Sequence, residues 1–397
     1  MNEDHTHATI TPEEIVQRAH AIAPVLKARA PATNAARCLS KETIADFQEA
    51  GFFRILQPAR YGGFEMDPQV FFTVQTIIAA ACPSTAWCLG VIAVHSWQLA
   101  LFPEAAQEAV WGEDTSVLIS SSYMPVGKVT AAEGGYRLSG RWGFSSGSDH
   151  CQWVFLGAFA PTEAGKPPDM RTFLVPRADY ELLDTWHVAG LRGTGSKDVV
   201  VKDAFIPEAH THRFADGFMC SSPGNAINTA PLFRVPFGQI FVRSVSSSAI
   251  GMARGALSAY ETICKEKISR ASGKKSKESP SAQQAAAAAA AKIRTTWLVL
   301  EHNFEQMMAA ARAGEKISIA DRVQYRYDSA AAARECAAVV RDLFTNAGSS
   351  AIFLNSPLQV YFQDVHAAAA HYANNLESPG NNLGRVRFGQ RSTDYFI

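Results

Sequence analysis

The segment RWGFSSGSDHCQW, at residues 141–153, carries an unusual set of side chains for one short stretch. Two tryptophans, a phenylalanine, an adjacent pair of serines and two glycines stand within it. The segment is too polar for a strand of a hydrophobic core and too aromatic for an ordinary surface loop. We therefore predict that a flat ligand lies against it.

His95 could also do chemistry, because an imidazole titrates near neutral pH. Together with Ser96 and Gln98 it interrupts the apolar run TAWCLGVIAVHSWQLALF, which therefore predicts a buried helix rather than a membrane span of roughly 20 apolar residues. A histidine on such a helix is either a hydrogen-bonded core residue or a general base. The residues alone leave both interpretations open.

Other familiar sites are excluded by their spacing. The segment GLRGTGSKDVVV has glycines at 190, 193 and 195, but a strand follows where a dinucleotide fingerprint needs a helix. His366 and His371 are five residues apart, about 140° around a helix, so they do not share a metal-binding face. The seven cysteines contain no C-x-x-C pair, which argues against structural zinc or a disulfide framework and favours a reducing cytoplasm. We expect no metal.

The charge balance limits the partners. The 397 residues include 37 basic and 37 acidic side chains, so the net charge is zero. No global field would attract the chain to nucleic acid or to an anionic membrane. The first residues, MNEDHTHATITPEE, are polar and acidic and do not resemble a secretory signal. A small molecule or a second copy of the chain is the expected partner.

The order of predicted elements defines the fold class. Helical patterns dominate residues 1–114, and the first helix has Thr11 as its N-cap and Glu14 as the capping-box partner. Short β-branched and aromatic runs fill residues 115–215. Helical patterns return in 216–397 as a bundle of four helices, the third from about 318 to 346 and the last from about 358 to 374. The chain is mainly α with a central β-domain, and the lack of βαβ alternation excludes a Rossmann architecture.

Four segments, in order, carry a resemblance to a known family: CPSTAWCLGVIAVHSW, GGYRLSGRWGFSSGSDHCQWVFLGA, DTWHVAGLRGTGSKDVVVKDAFIP and QDVHAAAAH. They are similar to segments of flavin-dependent monooxygenases built on the acyl-CoA dehydrogenase fold. These proteins are the oxygenase components of two-component systems. The resemblance implies an N-terminal helical domain, a β-barrel-like middle domain and a C-terminal four-helix bundle.

The resemblance also implies an activity. Such a component receives reduced FMN or FAD (FMNH₂ or FADH₂) from a separate NAD(P)H-dependent flavin reductase. With O₂ as co-substrate it forms a C4a-hydroperoxyflavin and hydroxylates a small aromatic substrate, phenolic or indolic. The fold usually forms homotetramers through its C-terminal bundle.

The family places the flavin against the segment at residues 141–153. Ser146 is expected to donate a hydrogen bond toward flavin N5, with Ser145 beside it. Trp142, Phe144 and Trp153 are expected to keep water away. Two purely structural interpretations stay open. Trp142 and Trp153 could be core residues of the β-domain, and Ser145 could form a hydrogen bond that stabilises a turn.

Three further residues acquire catalytic roles by resemblance. His95 matches a histidine that faces the hydroxyl group of the aromatic substrate, and Ser121 matches a serine that contacts the same group. Ser120 and Ser122 flank it, so the register within this serine run stays open. His371 matches a histidine that helps to form or hold the hydroperoxide.

Other positions match contacts of the flavin or of its phosphate. Thr194 and Ser196 belong to the GLRGTGS segment, and Gly348 and Ser349 to a turn expected to come from a neighbouring subunit. Arg243 is a candidate phosphate partner. One departure is visible, because Gln363-Asp364 stands where family members often have Arg-Asp.

Three rival functions remain at this level. The chain could oxygenate sulfur or nitrogen, which needs no phenol base. It could be an acyl-CoA dehydrogenase with Glu377 as its base, although His371-Tyr372 occupies the region of the usual glutamate. It could bind flavin without catalysis.

Overall fold

The computed structural model describes residues 10–268, 273 and 275–397. Helix α1 (Pro12–Ala36) begins as predicted, since Thr11 Oγ1 accepts a hydrogen bond from the Glu14 amide at 3.2 Å. Glu14 Oε2 in turn accepts from the Thr11 amide at 2.8 Å. The capping box therefore satisfies amide groups that the first turn of a helix would otherwise leave unpaired.

The helices before and after the sheet enclose one large hydrophobic core. Their bounds are α2 (Lys41–Ala50), α3 (Pro68–Ala81), α4 (Pro83–Leu99) and α5 (Glu104–Trp111) before the sheet, and α6 (Phe214–Met219), α7 (Phe237–Glu266), α8 (Pro280–Ala313), α9 (Ile319–Ala347), α10 (Pro357–Ala369) and α11 (Glu377–Arg387) after it. Every residue of α4 is buried, which explains why this helix is apolar all round. Helix α4 packs on α3 and α7 and also reaches the sheet.

Seven strands form the central β-domain. They are β1 (Ile119–Ala132), β2 (Gly135–Ser145), β3 (Trp153–Ala160), β4 (Asp169–Pro176), β5 (Tyr180–Leu183), β6 (Lys197–Pro207) and β7 (Thr211–Arg213), in the order β5-β6-β2-β1-β3-β4-β7. Strand β1 pairs with β3 in parallel and with β2 antiparallel, and its pairing shifts between Ser122 and Gly127. The long β1 strand therefore joins both halves of the sheet.

The predicted fold class is confirmed, with differences at the last helices. Helix α9 lies within a residue of its predicted ends. Helix α10 stops at Ala369, so the predicted helix to about residue 374 is wrong at its end, and α11 is a further helix that we did not predict. Within the described residues, no helix combines the length and apolarity needed to cross a membrane.

Candidate active site

The end of β2 has an irregular backbone. Its pairing with β6 shifts between Trp142 and Ser145, and Phe144 adopts a left-handed conformation with φ 65°. Such a conformation is uncommon for a residue other than glycine, and outliers of this kind often occur at functional sites. The Phe144 ring is 66% exposed and meets the Trp186 ring edge-on at 5.9 Å. The Phe144 ring is thus presented at the surface beside the serine pair, with the half-buried Trp186 ring against it.

Ser146 lies at the start of a chain of hydroxyl groups. Its Oγ accepts a hydrogen bond from Trp87 Nε1 at 3.2 Å and lies 2.7 Å from Ser196 Oγ. Ser196 Oγ lies 2.6 Å from Thr194 Oγ1, which donates to the carbonyl of Leu191 at 2.9 Å. Three residues that the sequence analysis assigned to the cofactor therefore lie together.

The two ends of this chain determine its direction. The indole N–H of Trp87 can only donate and the carbonyl of Leu191 can only accept. Thr194 uses its proton on that carbonyl, so Ser196 must donate to Thr194, and Ser146 must donate to Ser196. Ser146 Oγ consequently has no proton left for a ligand. Toward the site it can act only as a hydrogen-bond acceptor, which differs from the expected donation toward flavin N5.

The loop that carries Thr194 and Ser196 is held by a buried carboxyl group. Leu191 has a left-handed backbone, and its amide donates to Asp364 Oδ1 at 2.6 Å. Burial raises the pKa of Asp364 to about 7. A Cβ at Gly190 would lie 2.2 Å from the carbonyl oxygen of Gln363, so only glycine permits this approach. The Gln363-Asp364 pair, whose role the sequence left in doubt, thus anchors this loop to α10.

His95 is a fully buried histidine with one free nitrogen. Its Nδ1 lies 2.8 Å from the carbonyl of Ile119, which requires a proton on Nδ1. Nε2 then carries a lone pair, and it has no hydrogen-bond partner. Burial lowers the pKa of His95 to about 4, so the ring is neutral at pH 7. A neutral imidazole with an unpartnered nitrogen can accept a proton.

The serine run of β1 alternates between two faces of the strand. Ser122 Oγ donates to the carbonyl of Gly143 at 2.8 Å, away from His95. Ser121 lies on the other face together with Tyr123, whose hydroxyl group donates to Gln98 Oε1. The rings of Tyr123 and His95 are 6.3 Å apart. Of the three serines, Ser121 is therefore the one on the face of β1 that carries Tyr123.

Helix α4 connects His95 to the turn that carries Ser146. Cys88, Ile92 and His95 recur at helical spacing on one face of α4. A Cβ at Gly147 would lie 2.6 Å from Ile92 Cδ1, so the turn touches this face directly. His95 lies about 10 Å farther along the helix than Cys88, from the rise per residue. One face of α4 therefore carries both His95 and the contacts with the turn of Ser146.

His371 joins the same site from the C-terminal helices. It follows α10 rather than lying within it, and its Nδ1 accepts from the Ala373 amide at 3.1 Å. Its ring meets Trp87 edge-on at 5.5 Å. Burial lowers the pKa of His371 to about 4, and the charge of Arg326 acts in the same direction. Trp87 therefore contacts both Ser146 and His371.

Trp142 does not face the site. The Trp142 ring is fully buried in the core of the β-domain, and its Nε1 donates to the carbonyl of Gly157 at 2.9 Å. The prediction that Trp142 contacts the cofactor is wrong, and the interpretation as a core residue holds. Ser145 is also fully buried, and its Oγ has no partner. The irregular end of β2 changes which side chains point outward, and no sequence period reveals such a change.

Arg243 is not available to a phosphate group. Its side chain is fully buried in α7, between the rings of Phe72 at 5.0 Å and Trp297 at 5.4 Å. Nη1 donates to Ser247 Oγ at 2.8 Å. The prediction that Arg243 binds a phosphate group is wrong, because its side chain packs between α7, α3 and α8.

Gly348 and Ser349 lie at the far end of α9 and are exposed. Arg326, which influences His371, stands on α9, 22 residues before Gly348. At 1.5 Å per residue, the turn is about 30 Å from the level of Arg326. Within one chain, these two residues are therefore not brought together with Ser146.

The residues that are brought together suit a flavin ring. A planar heterocycle with ring N–H groups requires a hydrogen-bond acceptor and aromatic surfaces. The site offers the buried acceptor Ser146, the rings of Trp87 and of half-buried Trp186, and the exposed ring of Phe144. In the part of the chain that the structure describes, no cluster of three or more histidine, cysteine or acidic residues could hold a metal ion.

Sequence reasoning missed several members of this site. Trp87 was not singled out, although it stands on the same apolar helix as His95, and that shared helix was a usable signal. Tyr123 follows the serine run by alternation and could have been found by strand periodicity. Nothing local indicated Gln98, because its contact with Tyr123 depends on how α4 packs on β1.

Comparisons with known proteins agree with this arrangement. The acyl-CoA dehydrogenase N-terminal domain matches residues 12–115, and the acyl-CoA dehydrogenase C-terminal domain matches residues 244–376. The oxygenase subunit HsaA of a flavin-dependent monooxygenase from Rhodococcus jostii (strain RHA1) is 39% identical over 383 residues, which cover 96% of this chain and 100% of the relative. The oxygenase component of an FADH(2)-dependent resorcinol hydroxylase from Rhizobium sp. (strain MTP-10005) is 31% identical over 384 residues, 94% of each chain.

A solved structure agrees as well. The crystal structure of 3-HSA hydroxylase from Rhodococcus sp. RHA1 superposes with a TM-score of 0.93 at 39% identity, covering 97% of this chain and 99% of that one. The predicted family, fold class and enzyme class are confirmed. The chain belongs to the flavin-dependent monooxygenases of the acyl-CoA dehydrogenase fold, and it is an oxygenase component that uses reduced flavin.

Proposed function

We propose that this oxygenase component hydroxylates an aromatic ring that carries an acidic O–H or N–H group, a phenol or an indole, with His95 as the base. The observation that carries the proposal is the free Nε2 of His95, which is buried, unprotonated and without a partner. A buried acceptor left unpaired costs free energy, so a ligand proton is its natural partner. Removing that proton makes the ring electron-rich at the neighbouring carbon.

Ser121 and Tyr123 orient the substrate in this proposal. They share one face of β1, and Tyr123 is kept in place by its hydrogen bond to Gln98. Ser121 is only partly buried and can offer its hydroxyl group to the substrate oxygen. The substrate group that faces His95 would then have one acceptor and one further hydroxyl partner.

Ser146, Thr194 and Ser196 would hold the reduced flavin, either FMN or FAD, with Phe144 beside the ring. When bound, the reduced flavin supplies the two electrons that activate O₂ for transfer of one oxygen atom. Ser146 Oγ, an obligate acceptor, would receive the N5–H of the reduced ring. Neutral His371, packed against Trp87, would keep a second nitrogen near the same ring.

An oxygenase component requires a separate reductase that supplies reduced flavin. For the assembly we propose a homotetramer with Gly348 and Ser349 contributed by a neighbouring subunit. These two residues are exposed and are followed by the exposed apolar residues 352–354, which are 61–86% accessible in one chain. We retain domain boundaries after residues 114 and 215. All seven cysteines are free thiols, which supports a reducing cytoplasm as the location.

The rival base Glu377 has little support. It stands exposed in the first turn of α11, whereas a base for α-proton abstraction needs a sheltered pocket. No specific observation favours the dehydrogenase.

The proposal is tested by single-turnover mixing of the protein and reduced flavin with oxygenated buffer. Each reaction contains a phenol, the methyl ether of that phenol, or an aryl thioether. We expect ring hydroxylation of the phenol and little product from the ether, which has no proton for His95. Sulfoxide formation with an unreactive phenol would contradict the proposal and identify an S-oxygenase instead. Release of peroxide without any oxygenated product would contradict it as well.

A further inference from the structure

Five aromatic rings form a cluster next to His95, which we call the aromatic cage: Tyr123, Phe214, Phe237, Phe241 and Phe396. Tyr123 stands at the His95 end. Its ring is 5.0 Å from Phe241, 6.0 Å from Phe237 and 6.1 Å from Phe214. These three phenylalanines therefore surround the side of Tyr123 away from the histidine.

Phe396 closes the other end of the cage. Its ring is 5.5 Å from Phe241, 5.6 Å from Phe237 and 6.1 Å from Phe214, the same three rings that contact Tyr123. The cage thus runs from the catalytic histidine to a residue far away in the sequence. The rings pack against one another, so a guest that extends from His95 in this direction must displace one of them.

The second aromatic neighbour of His95, Phe155, leaves no space for a larger substrate. Phe155 meets His95 edge-on at 5.4 Å and is fully buried in β3. It also stacks on Phe102 at 5.0 Å within a close-packed cluster. A substrate held at Nε2 therefore extends toward the cage rather than toward the sheet.

Phe396 is the member of the cage that can give way most easily. Phe237 and Phe241 are buried residues of the long helix α7. Phe396 is only half-buried and belongs to a segment, 390–397, without helix or strand. The segment is fastened to α11 by a few side-chain bonds, such as Thr393 N to Asn382 Oδ1 at 3.0 Å and Asn382 Nδ2 to Ser392 Oγ at 3.1 Å. Moving it breaks far fewer contacts than moving α7 would.

Gly238 allows the segment to lie against α7. A Cβ at this position would be 2.5 Å from the backbone carbonyl of Phe396, closer than real atoms approach. An alanine would therefore push the segment outward, and Phe396 with it, without replacing any of the five aromatic residues. This glycine provides a second, independent way to move Phe396.

We propose that Phe396 is the residue that determines how large an aromatic substrate can lie against His95. The inference rests on the proposed function, in which His95 binds the O–H group of the substrate. With Phe396 in place, the cage accepts a guest of limited length. Without it, a second ring of the guest occupies the vacated space and gains the contacts that Phe396 made.

The test compares the binding of phenol and 4-phenylphenol to the protein loaded with oxidised FMN, by isothermal titration calorimetry. We expect Phe396→Ala to shift the ratio of the two dissociation constants by about tenfold toward 4-phenylphenol, since small differences in pocket volume change discrimination by about 10–200-fold. Gly238→Ala should shift the ratio in the same direction. Phe396→Leu is a milder change and should shift the ratio of dissociation constants by a smaller amount. It replaces Phe396→Ala in the test if that variant folds poorly.

Tyr395→Ala is the matched control, because Tyr395 belongs to the same segment but is 73% exposed and packs on Phe218 outside the cage. Its ratio should stay within about twofold of the unchanged protein, well below the shift for a pocket residue. An unchanged ratio in both Phe396→Ala and Gly238→Ala, or an equal shift in Tyr395→Ala, would overturn the proposal. If the unchanged protein binds phenols but never hydroxylates them, the proposed function fails while the ratio still decides the role of Phe396.

Discussion

Replacing Ser196 by alanine should reduce the preference of the site for reduced flavin. In the unchanged protein, Ser146 gives its proton to Ser196 and offers only a lone pair to the ligand. Reduced flavin presents an N–H at N5, whereas oxidised flavin presents a second lone pair there. A made hydrogen bond contributes about 0.5–1.5 kcal/mol and a buried unpaired group costs about 1–3 kcal/mol. The two effects add, so the arrangement favours the reduced ring by at least about 1.5 kcal/mol.

In Ser196→Ala, the Ser146 proton loses its acceptor and can turn toward the ligand. We expect the ratio of the dissociation constants for oxidised and reduced flavin to fall by about 10–100-fold. Anaerobic titration with each form of FMN or FAD measures both constants without any turnover. Ser145→Ala is the control, because Ser145 Oγ is buried but takes no part in the chain of hydroxyl groups. The reasoning is refuted if Ser196→Ala keeps the original ratio, or if Ser145→Ala changes it equally.

Three further outcomes follow from the site and its supports. His95→Asn can still donate a hydrogen bond to the Ile119 carbonyl. It should lower the rate of phenol hydroxylation about 10²–10⁴-fold, while flavin oxidation continues with release of peroxide. An equal yield of hydroxylated product would exclude His95 as the base. Asp364→Asn should remove a pH dependence of unfolding. The folded protein keeps a proton on Asp364 up to pH about 7, so the stability from this group is present below pH about 4 and is lost as pH rises through 7, by about 2–4 kcal/mol. Urea unfolding at pH 5 and 8 should show a smaller difference for the variant than for the unchanged protein. Trp142→Phe should lower the free energy of unfolding by about 1–3 kcal/mol, because the hydrogen bond to the Gly157 carbonyl is lost. Turnover per folded molecule should change by less than about twofold. A large selective loss of activity would instead show that Trp142 belongs to the site.

Much of the architecture was predictable because its signals are local. The capping box of Thr11 and Glu14 lies within four residues, and both ends of α9 follow from a helical pattern with nearby caps. The quoted segments around His95, Ser146 and His371 were sufficient to indicate the family. Hydrogen bonds and side-chain periods that repeat within one or two turns leave a direct trace in the order of residues.

The candidate site was only partly predictable, because several assignments depend on distant parts of the chain. Arg243 looked like an anion partner, yet Phe72 and Trp297 enclose it from two other helices. Trp142 and Phe144 are two residues apart and would share a face in a regular strand. The shifted register near the end of β2 instead leaves one ring buried and the other exposed.

The sequence by itself therefore determined the order of helices and strands, the family and the residue types available for catalysis. The tertiary structure alone decided which nitrogen of His95 is free, which way the Ser146 proton points and which residue closes the aromatic cage. The physical reason is that these properties depend on contacts between residues far apart in the chain. Ile119 with His95, Leu191 with Thr194 and Asp364, and Phe396 with α7 meet only after the helices have packed on the sheet.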